Sequence, residues 1–460
     1  MKKGRKGYTM FRAVKTGGHL LVLAGSFLGA VRVLEELGHE SPLPLAVLYL
    51  VLLEGAWLLL EAGDVQRRRF LDLMYGQFFG AAGASLFFGA LMCAVSPLSI
   101  WQILRGFLLL LILQSGAGMV WAALCFRLYL RRQSCKRALF VYGDQEEPGE
   151  LLEKNNRING YFRIARCLSF REAAGEMEKH LQGCEVVYLG EIPAGEKERI
   201  LKQCVGLGKD CYSIPGIADI YTQNARVLRL QDKVLFQYQK DGLTDGQKQA
   251  KRVLDIGTAL FLLCVSAPLM ALIALLIHLE DGGPVLYRQT RYTEGCRPFR
   301  MLKFRSMCVD AEREGARLAS RNDSRVTRVG RVIRNLHFDE LPQLVNVLKG
   351  DMSMVGPRPE RWEFIEEYSR SIPEFSQRMK VKGGLTGYAQ IYGKYNTGPE
   401  DKIKYDLIYI YSYSLRMDVR LLFLTVRILF QKESAEGVEE GQRSAAKGRK
   451  ERTDGDDPIT

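Results

Sequence analysis

Four apolar stretches fall within the first 131 residues, and they limit the fold more than any other feature. They run from His19 to Leu37, Leu43 to Leu60, Gly76 to Val95 and Ile100 to Tyr129. Each approaches or exceeds the ~20 residues that a helix needs to cross the hydrocarbon of a bilayer. Four helices buried in a soluble core are the alternative, and the connecting charges argue against it. "VQRRRF" lies between the second and third stretches and "RLYLRRQSCKR" closes the fourth, whereas "GHESPLP" and "SPLS" hold no Lys or Arg. Because positive loops stay on the cytoplasmic side, both ends of a four-helix transmembrane bundle (residues 1–132) face the cytoplasm. The basic start "MKKGRKGYTMFRAVK" also suits a cleaved signal, but no small-residue cleavage site follows and more apolar runs do.

The formal charge of +13 is unevenly placed. Such a surface meets nucleic acid, a membrane face or a phosphorylated small molecule, and the apolar stretches favour the last two. Ten cysteines are scattered singly with no C-x-x-C pair. This argues against a disulfide framework and a zinc site.

Residues 133–244 read as a Rossmann-like α/β cytosolic domain. "KRALFVYGDQEE" is a strand entering a loop, "CEVVYLGEI" a second strand, and "AGEKERILKQCVGLG" the helix after it. A dinucleotide fold would place Gly-x-Gly-x-x-Gly after the first strand. Here "YGDQEEPG" sets acids where phosphates would approach, so the nucleotide motif is degenerate.

The run from Ile256 to Leu279 is long enough for a fifth span, but Pro268 at its middle should break or kink the helix. Ser266 is placed to bond a freed backbone group. Lys248, Lys251 and Arg252 precede the run, and thirteen Arg/Lys against five Asp/Glu follow it between Tyr287 and Asn335. Both flanks therefore prefer the cytoplasm, which favours a re-entrant helix (250–280) over a kinked span. "DVRLLFLTVRILFQK" suits an interfacial helix or a packed core helix, and the charged stretch 433–460 a disordered tail.

The chemistry concentrates in "LHFDELPQLVNVLKGDMSMVGPRPE". Leu341, Leu344, Val345 and Leu348 follow helical spacing and Gly350 ends it. Asp339 and Glu340 then fall at the N-cap and first turn, where acids commonly serve only to cap a helix. Three neighbouring features point beyond capping. Lys303, Arg305, Arg328, Arg331 and Arg334 gather upstream; Arg358 is fixed between two prolines; and "GGLTGYAQIYG" is a glycine loop able to turn N–H groups toward an anion. Two acids beside bound phosphates need a cation between them, and Mg²⁺ is the expected one. One acid then ligates metal and the other is free to attack phosphorus. His337 has a surface or core role.

"VLDIGTALFLLCVSAPLMALIALLI", "GPVLYRQTR", "FRMLKFRSM", "RVIRNLHFDELPQLVNVLKGDMSMVGPRPE" and "GGLTGYAQIYG", in this order over about residues 248–432, resemble the bacterial polyprenyl-phosphate glycosyl-1-phosphate transferases. This is the monotopic phosphoglycosyl transferase class, and the whole chain resembles its long form with N-terminal membrane helices. The resemblance implies an α+β catalytic domain (245–432) within a multi-domain, multi-pass protein of the bacterial cell membrane, its catalytic domain facing the cytoplasm. It implies transfer of a sugar-1-phosphate from a UDP-sugar to undecaprenyl phosphate, releasing UMP and initiating exopolysaccharide, capsule or O-antigen synthesis. It implies Asp339 as nucleophile, Glu340 as Mg²⁺ ligand, and Lys303, Arg305, Arg334 and Arg358 as phosphate-binding groups. Ser266 and Pro268 resemble the family's Ser-Pro break, with Ala267 inserted between them. The glycine loop also departs from the family: Gly383 stands for a proline, Tyr388 for Trp and Tyr392 for Asn. The other readings are a catalytically inactive membrane scaffold and an oxidoreductase built on the α/β unit. No nucleic-acid partner is expected, self-association is left open, and the sugar is not named.

Overall fold

A computed structural model describes residues 2–65, 70–95, 99–132, 136–143, 162–173, 177–238, 242–308, 325–393 and 398–429. The acidic stretch beyond Gly143 and the charged tail lie outside these residues. The chain forms two compact units, Met1–Gly216 and Ile217–Thr460.

In the first unit, α1 (Lys2–Glu36), α2 (Pro42–Leu59), α3 (Phe70–Val95) and α4 (Ile100–Arg132) follow from the apolar runs. They pack side by side in a closed order, α1 on α2 and α4, and α3 on α2 and α4. Leu53, Phe88, Ile103 and Cys125 fill the interior, while Leu21, Leu86, Leu113 and Val120 face outward. Three of the polar groups inside are linked: the Tyr49 hydroxyl donates to Gln114 Oε1 at 2.9 Å and lies 2.9 Å from Ser85 Oγ. The same unit holds β1 (Lys136–Tyr142), β2 (Phe162–Ser169), β3 (Val186–Leu189), α5 (Ala194–Gly206) and β4 (Asp210–Ser213). These strands form a parallel sheet in the order β2–β1–β3–β4. Leu139, Val141, Val187 and Leu189 pack against Ile200 and Cys204 of α5. Parallel strands covered on their faces read as near-continuous apolar runs, which is why β1 and β3 were visible in sequence.

The second unit begins with α6 (Ile217–Gln223) and the antiparallel hairpin of β5 (Arg226–Leu230) and β6 (Lys233–Gln237). Sequence placed α6 in the α/β domain. Its side chains instead join the second unit: the Tyr221 hydroxyl donates to Gln377 at 2.8 Å and Asn224 Nδ2 to Ser412 Oγ at 3.0 Å.

Next comes α7 (Asp245–Asp281), opened by a capping box in which Thr244 and Gln247 satisfy each other's backbone N–H groups, and closed by left-handed Gly282. The helix runs unbroken through Pro268. Of the break or kink expected there, no break occurs: Pro268 removes one backbone donor without ending the helix. Ser266 Oγ does not rescue a carbonyl but points at Met270 Sδ, 3.5 Å away. Among the described residues five helices, α1–α4 and α7, are long and apolar enough to cross a membrane.

The rest of this unit is built around α7. It comprises β7 (Leu286–Thr293) and β8 (Arg297–Phe304), α8 (Arg328–Asn335), a 3₁₀ turn (Phe338–Glu340), α9 (Gln343–Lys349), β9 (Ser353–Val355), α10 (Trp362–Ser371), β10 (Gly384–Thr386), α11 (Tyr388–Tyr392), α12 (Pro399–Tyr411) and α13 (Leu415–Leu429). Phe299, Met301, Leu344, Val347, Met352, Tyr409 and Leu421 form the main core. Both ends of α7 are held by this one unit. Near its start, Arg252 donates to the carbonyls of Val347 and Leu348 at 2.6 and 2.7 Å. At its far end Asp281 pairs with Arg305, and Glu280 accepts the Arg328 N–H at 2.8 Å.

Candidate active site

The site is assembled from one strand, one turn and one loop. In β8, alternation puts Phe299, Met301 and Lys303 on one face, and the first two are buried in the core. Lys303 is thereby drawn inward, its side chain only 19% exposed. Asn346 of α9 fixes the strand beside the turn: its Oδ1 accepts the Leu302 N–H at 3.0 Å and its Nδ2 donates to the Arg300 carbonyl at 2.9 Å.

The acid pair does not cap α9, as the sequence suggested. Pro342 occupies the N-cap position, and neither it nor the 3₁₀ turn has a side-chain cap. Asp339 and Glu340 sit in that separate turn, which follows a left-handed His337 with φ 57°. Among the described residues the Asp339 carboxylate accepts no hydrogen bond. Lys303 Nζ stands 4.0 Å from it, and Asp339 is 8% exposed. An acid buried without a capping duty needs another explanation.

Glu340 is bound on both oxygens. Lys303 Nζ donates to Oε1 at 2.9 Å; Arg358 donates to Oε1 at 2.5 Å and to Oε2 at 3.4 Å. Burial opposes ionisation of Glu340, but the charges of Arg358 and Lys303 outweigh it and hold the carboxyl well below the usual range. The same carboxylate holds the Arg358 guanidinium more firmly protonated. Asp339 moves the other way. Burial pushes it up and the adjacent Glu340 adds to the rise, against the opposing charges of Lys303, Arg334 and Arg358.

Arg358 is held by its backbone. On the near side the Tyr409 hydroxyl meets the Val355 carbonyl at 3.1 Å, and Gly356 N–H donates to the Thr386 carbonyl at 2.8 Å. Pro357 accepts from Gly384 N–H at 2.9 Å. On the far side Arg291 donates to the Pro359 carbonyl at 3.3 Å, and Tyr292 N–H to that of Glu360 at 3.1 Å. The Glu360 carboxylate is in turn held by Arg291 at 3.1 Å and Arg378 at 3.7 Å, and buried Asp406 pairs with Arg378 at 2.9 Å. This support was missed in sequence, because Arg291, Arg378 and Asp406 lie in separate segments with no shared spacing.

The glycine loop lets two chain segments approach closely. Two of its N–H groups are spent within the protein, Gly383 on Thr293 Oγ1 at 3.0 Å and Gly384 on Pro357. A Cβ at Gly384 would collide with the backbone of Gly356, so these glycines let two chain segments touch.

Of the other basic residues, Arg334 lies near enough for its charge to act on Asp339, and its Nε donates to Ser306 Oγ at 2.8 Å. Arg305 is committed to Asp281 at the end of α7, with only its buried Nη1 unpartnered. It is tied first to the helix end.

Among the described residues no three His, Cys, Asp or Glu side chains gather as a metal cage. The acid pair alone fits Mg²⁺, which binds one or two carboxylates and completes its shell with phosphate oxygens and water. Glu340 Oε2 receives only the one long contact and keeps a lone pair for such an ion.

The bacterial sugar transferase family matches residues 246–432. The UDP-N-acetylgalactosamine-undecaprenyl-phosphate N-acetylgalactosaminephosphotransferase of Aeromonas hydrophila is 42% identical over 241 residues, 51% of this chain and 56% of that protein. The UDP-glucose:undecaprenyl-phosphate glucose-1-phosphate transferase of Caulobacter vibrioides is 44% identical over 191 residues, 40% of this chain and 71% of that protein. A putative undecaprenyl-phosphate N-acetylgalactosaminyl 1-phosphate transferase of Bacillus subtilis is 53% identical over 129 residues, 28% of this chain and 72% of that protein. The chain thus matches little more than half the length of the Aeromonas protein.

Proposed function

The chain belongs to the bacterial sugar transferase family, and from that premise we propose that it transfers a sugar-1-phosphate from a UDP-sugar to undecaprenyl phosphate. The product is the first lipid-linked intermediate of a surface polysaccharide. The observation that carries this reading is the uncapped acid pair: Asp339 buried and unbonded, Glu340 clamped between Lys303 and Arg358.

Two half-reactions follow. A carboxylate oxygen of Asp339 bonds to the phosphorus nearer the sugar, and the bond from that phosphorus to the bridging oxygen breaks. The bridging oxygen leaves with the electron pair as part of UMP. A phosphate oxygen of undecaprenyl phosphate then attacks the same phosphorus, and the bond to Asp339 breaks to restore the carboxylate. Neither step requires proton transfer at Asp339, which suits a site without a histidine base. Lys303, Arg334 and Arg358 offset the charge of the diphosphate as the nucleophile approaches, and because Arg358 is fixed on both sides little reorganisation is needed. Glu340 would hold Mg²⁺ together with the donor's phosphates, where the ion supplies further charge neutralisation.

In this reading α1–α4 form a transmembrane bundle in the bacterial cell membrane, the parallel sheet is a Rossmann-like domain, and the catalytic residues face the cytoplasm. The attachment of both ends of α7 to one unit supports a re-entrant helix, since a crossing would carry one end to the far side.

The test is UMP release from membranes supplied with undecaprenyl phosphate, Mg²⁺ and a panel including UDP-glucose and UDP-N-acetylgalactosamine. We expect release with at least one donor, and at least a thousandfold loss in Asp339→Asn, whose amide is no phosphoryl acceptor. Near-normal release by that variant would eliminate the covalent scheme.

A further inference from the structure

The proposed reaction leaves a buried polar cluster behind Arg358 without a role. Lys251 and Asp255 stand one turn apart on α7, just before the apolar run that begins at Ile256, and are 6% and 3% exposed. Lys251 Nζ donates to Asp418 Oδ2 at 2.6 Å, and Asp418, on α13, is fully buried. The Tyr409 hydroxyl of α12 lies 2.8 Å from Asp418 Oδ1 and 3.1 Å from the Val355 carbonyl. Ser353 Oγ lies 2.9 Å from Asp255 Oδ1 and 3.0 Å from that same carbonyl. Asp255 Oδ1 also accepts the Met354 N–H at 3.0 Å.

Two facts set this cluster apart from ordinary core packing. Lys251 and Asp418 pair out of contact with water, and Asp255 is buried near them, bonded to Ser353 and the Met354 N–H. Apolar side chains of similar volume would commonly fill such a space at no loss of stability. Stability therefore does not account for it. Its contacts also converge on one short strand, β9, which leads within three residues to Arg358. Each hydroxyl has one hydrogen, so the Ser353 and Tyr409 protons serve three acceptors: Val355 O, Asp255 Oδ1 and Asp418 Oδ1. Removing the Tyr409 hydroxyl leaves Ser353 alone to serve the Val355 carbonyl at the end of that strand, and Asp418 Oδ1 loses Tyr409 as a donor.

We propose that Tyr409 and Asp255 are positioning residues, which lock β9 between α12 and the root of the membrane helix and so set where Arg358 meets Glu340 and the donor's phosphates. The inference rests on Asp339, Glu340 and Arg358 being the transfer site. It adds a physical link from the seat of α7, through β9, to the guanidinium.

The test uses the full chain in detergent. Tyr409→Phe deletes one oxygen and keeps the ring. We expect kcat/KM for the UDP-sugar to fall roughly tenfold, the upper end for one buried hydrogen bond, with KM for undecaprenyl phosphate within about twofold. Added to Arg358→Lys, the same change should cost under about twofold more, because residues acting through one another are not additive. Asp255→Asn, which keeps the acceptor oxygen, should retain more activity than Asp255→Ala. Hydrogen exchange at Met354 and Gly356 should quicken in Tyr409→Phe. Unchanged kcat/KM overturns the proposal, as does an equal loss in both backgrounds, which marks a merely structural residue. If the unaltered chain releases no UMP from any donor, the transfer reading fails instead. Exchange then judges the link to β9, and unaltered protection at both amides overturns it.

Discussion

Asp339 and Glu340 carry the same functional group on consecutive residues, yet their surroundings drive them in opposite directions. Glu340 has two cations within hydrogen-bond reach; Asp339 has burial and a charged neighbour. Paired carboxyls with diverging acidity are how one site assigns two roles. The consequence for pH follows from sign. Attack requires ionised Asp339, and its raised pKa brings protonation in at higher pH than for a free aspartate, ~3.9. UMP release should therefore fall on the acid side along a limb lying above that value, while Glu340 stays charged. Lys303→Gln removes a charge that opposes the rise, so the limb should move further up in that variant. A limb at or below the free-aspartate value in the unaltered chain would contradict the assignment. That the acid pair, Lys303 and Arg358 come together was legible in sequence, because opposite charges in nearby patterns draw one another. The pairing of Arg305 was not: its partner Asp281 lies at the end of a helix whose course no spacing reveals. What the glycines approach was hidden for a related reason. Composition shows that backbone comes close to something, and only the fold shows that it is Gly356.

Among the elements, α7 shows how strong and weak signals combine. Its length and apolarity were plain in sequence. Pro268 does not end the helix, whose 37 residues continue on both sides of it. The short β9 and β10 and the 3₁₀ turn carried almost no periodic signal, having three residues each. Tertiary contacts define them: β9 is held by Asp255 and Tyr409, and the turn by α8 and β8. The side of the membrane reached by each end of α7 is open to direct measurement. In a chain whose native cysteines are replaced, single cysteines at Gln247 and Gly283 should react with a membrane-impermeant maleimide only after the cytoplasmic face is opened. Labelling at Gly283 from outside in sealed cells would establish a full crossing and end the re-entrant reading.

For the whole molecule, every residue assigned to the reaction lies in the second unit, from Ile217 onward. The first unit contributes four apolar helices and a parallel sheet, each with its own core. A chain starting at Ile217 should therefore remain membrane-bound through α7 and α13 and release UMP in detergent at a rate within about tenfold of the full protein. Where the cut is made matters. A chain starting at Gly242 loses α6, with buried Ile220 and the Tyr221 and Asn224 hydrogen bonds to Gln377 and Ser412. That loss should destabilise the remainder by on the order of 3 kcal/mol, a sum of one buried aliphatic side chain and two hydrogen bonds. Thermal unfolding of the two truncations, beside their UMP release, separates the contributions. Equal midpoints would show that α6 is a passenger, and a folded chain from Ile217 without turnover would move part of the active site into the first unit.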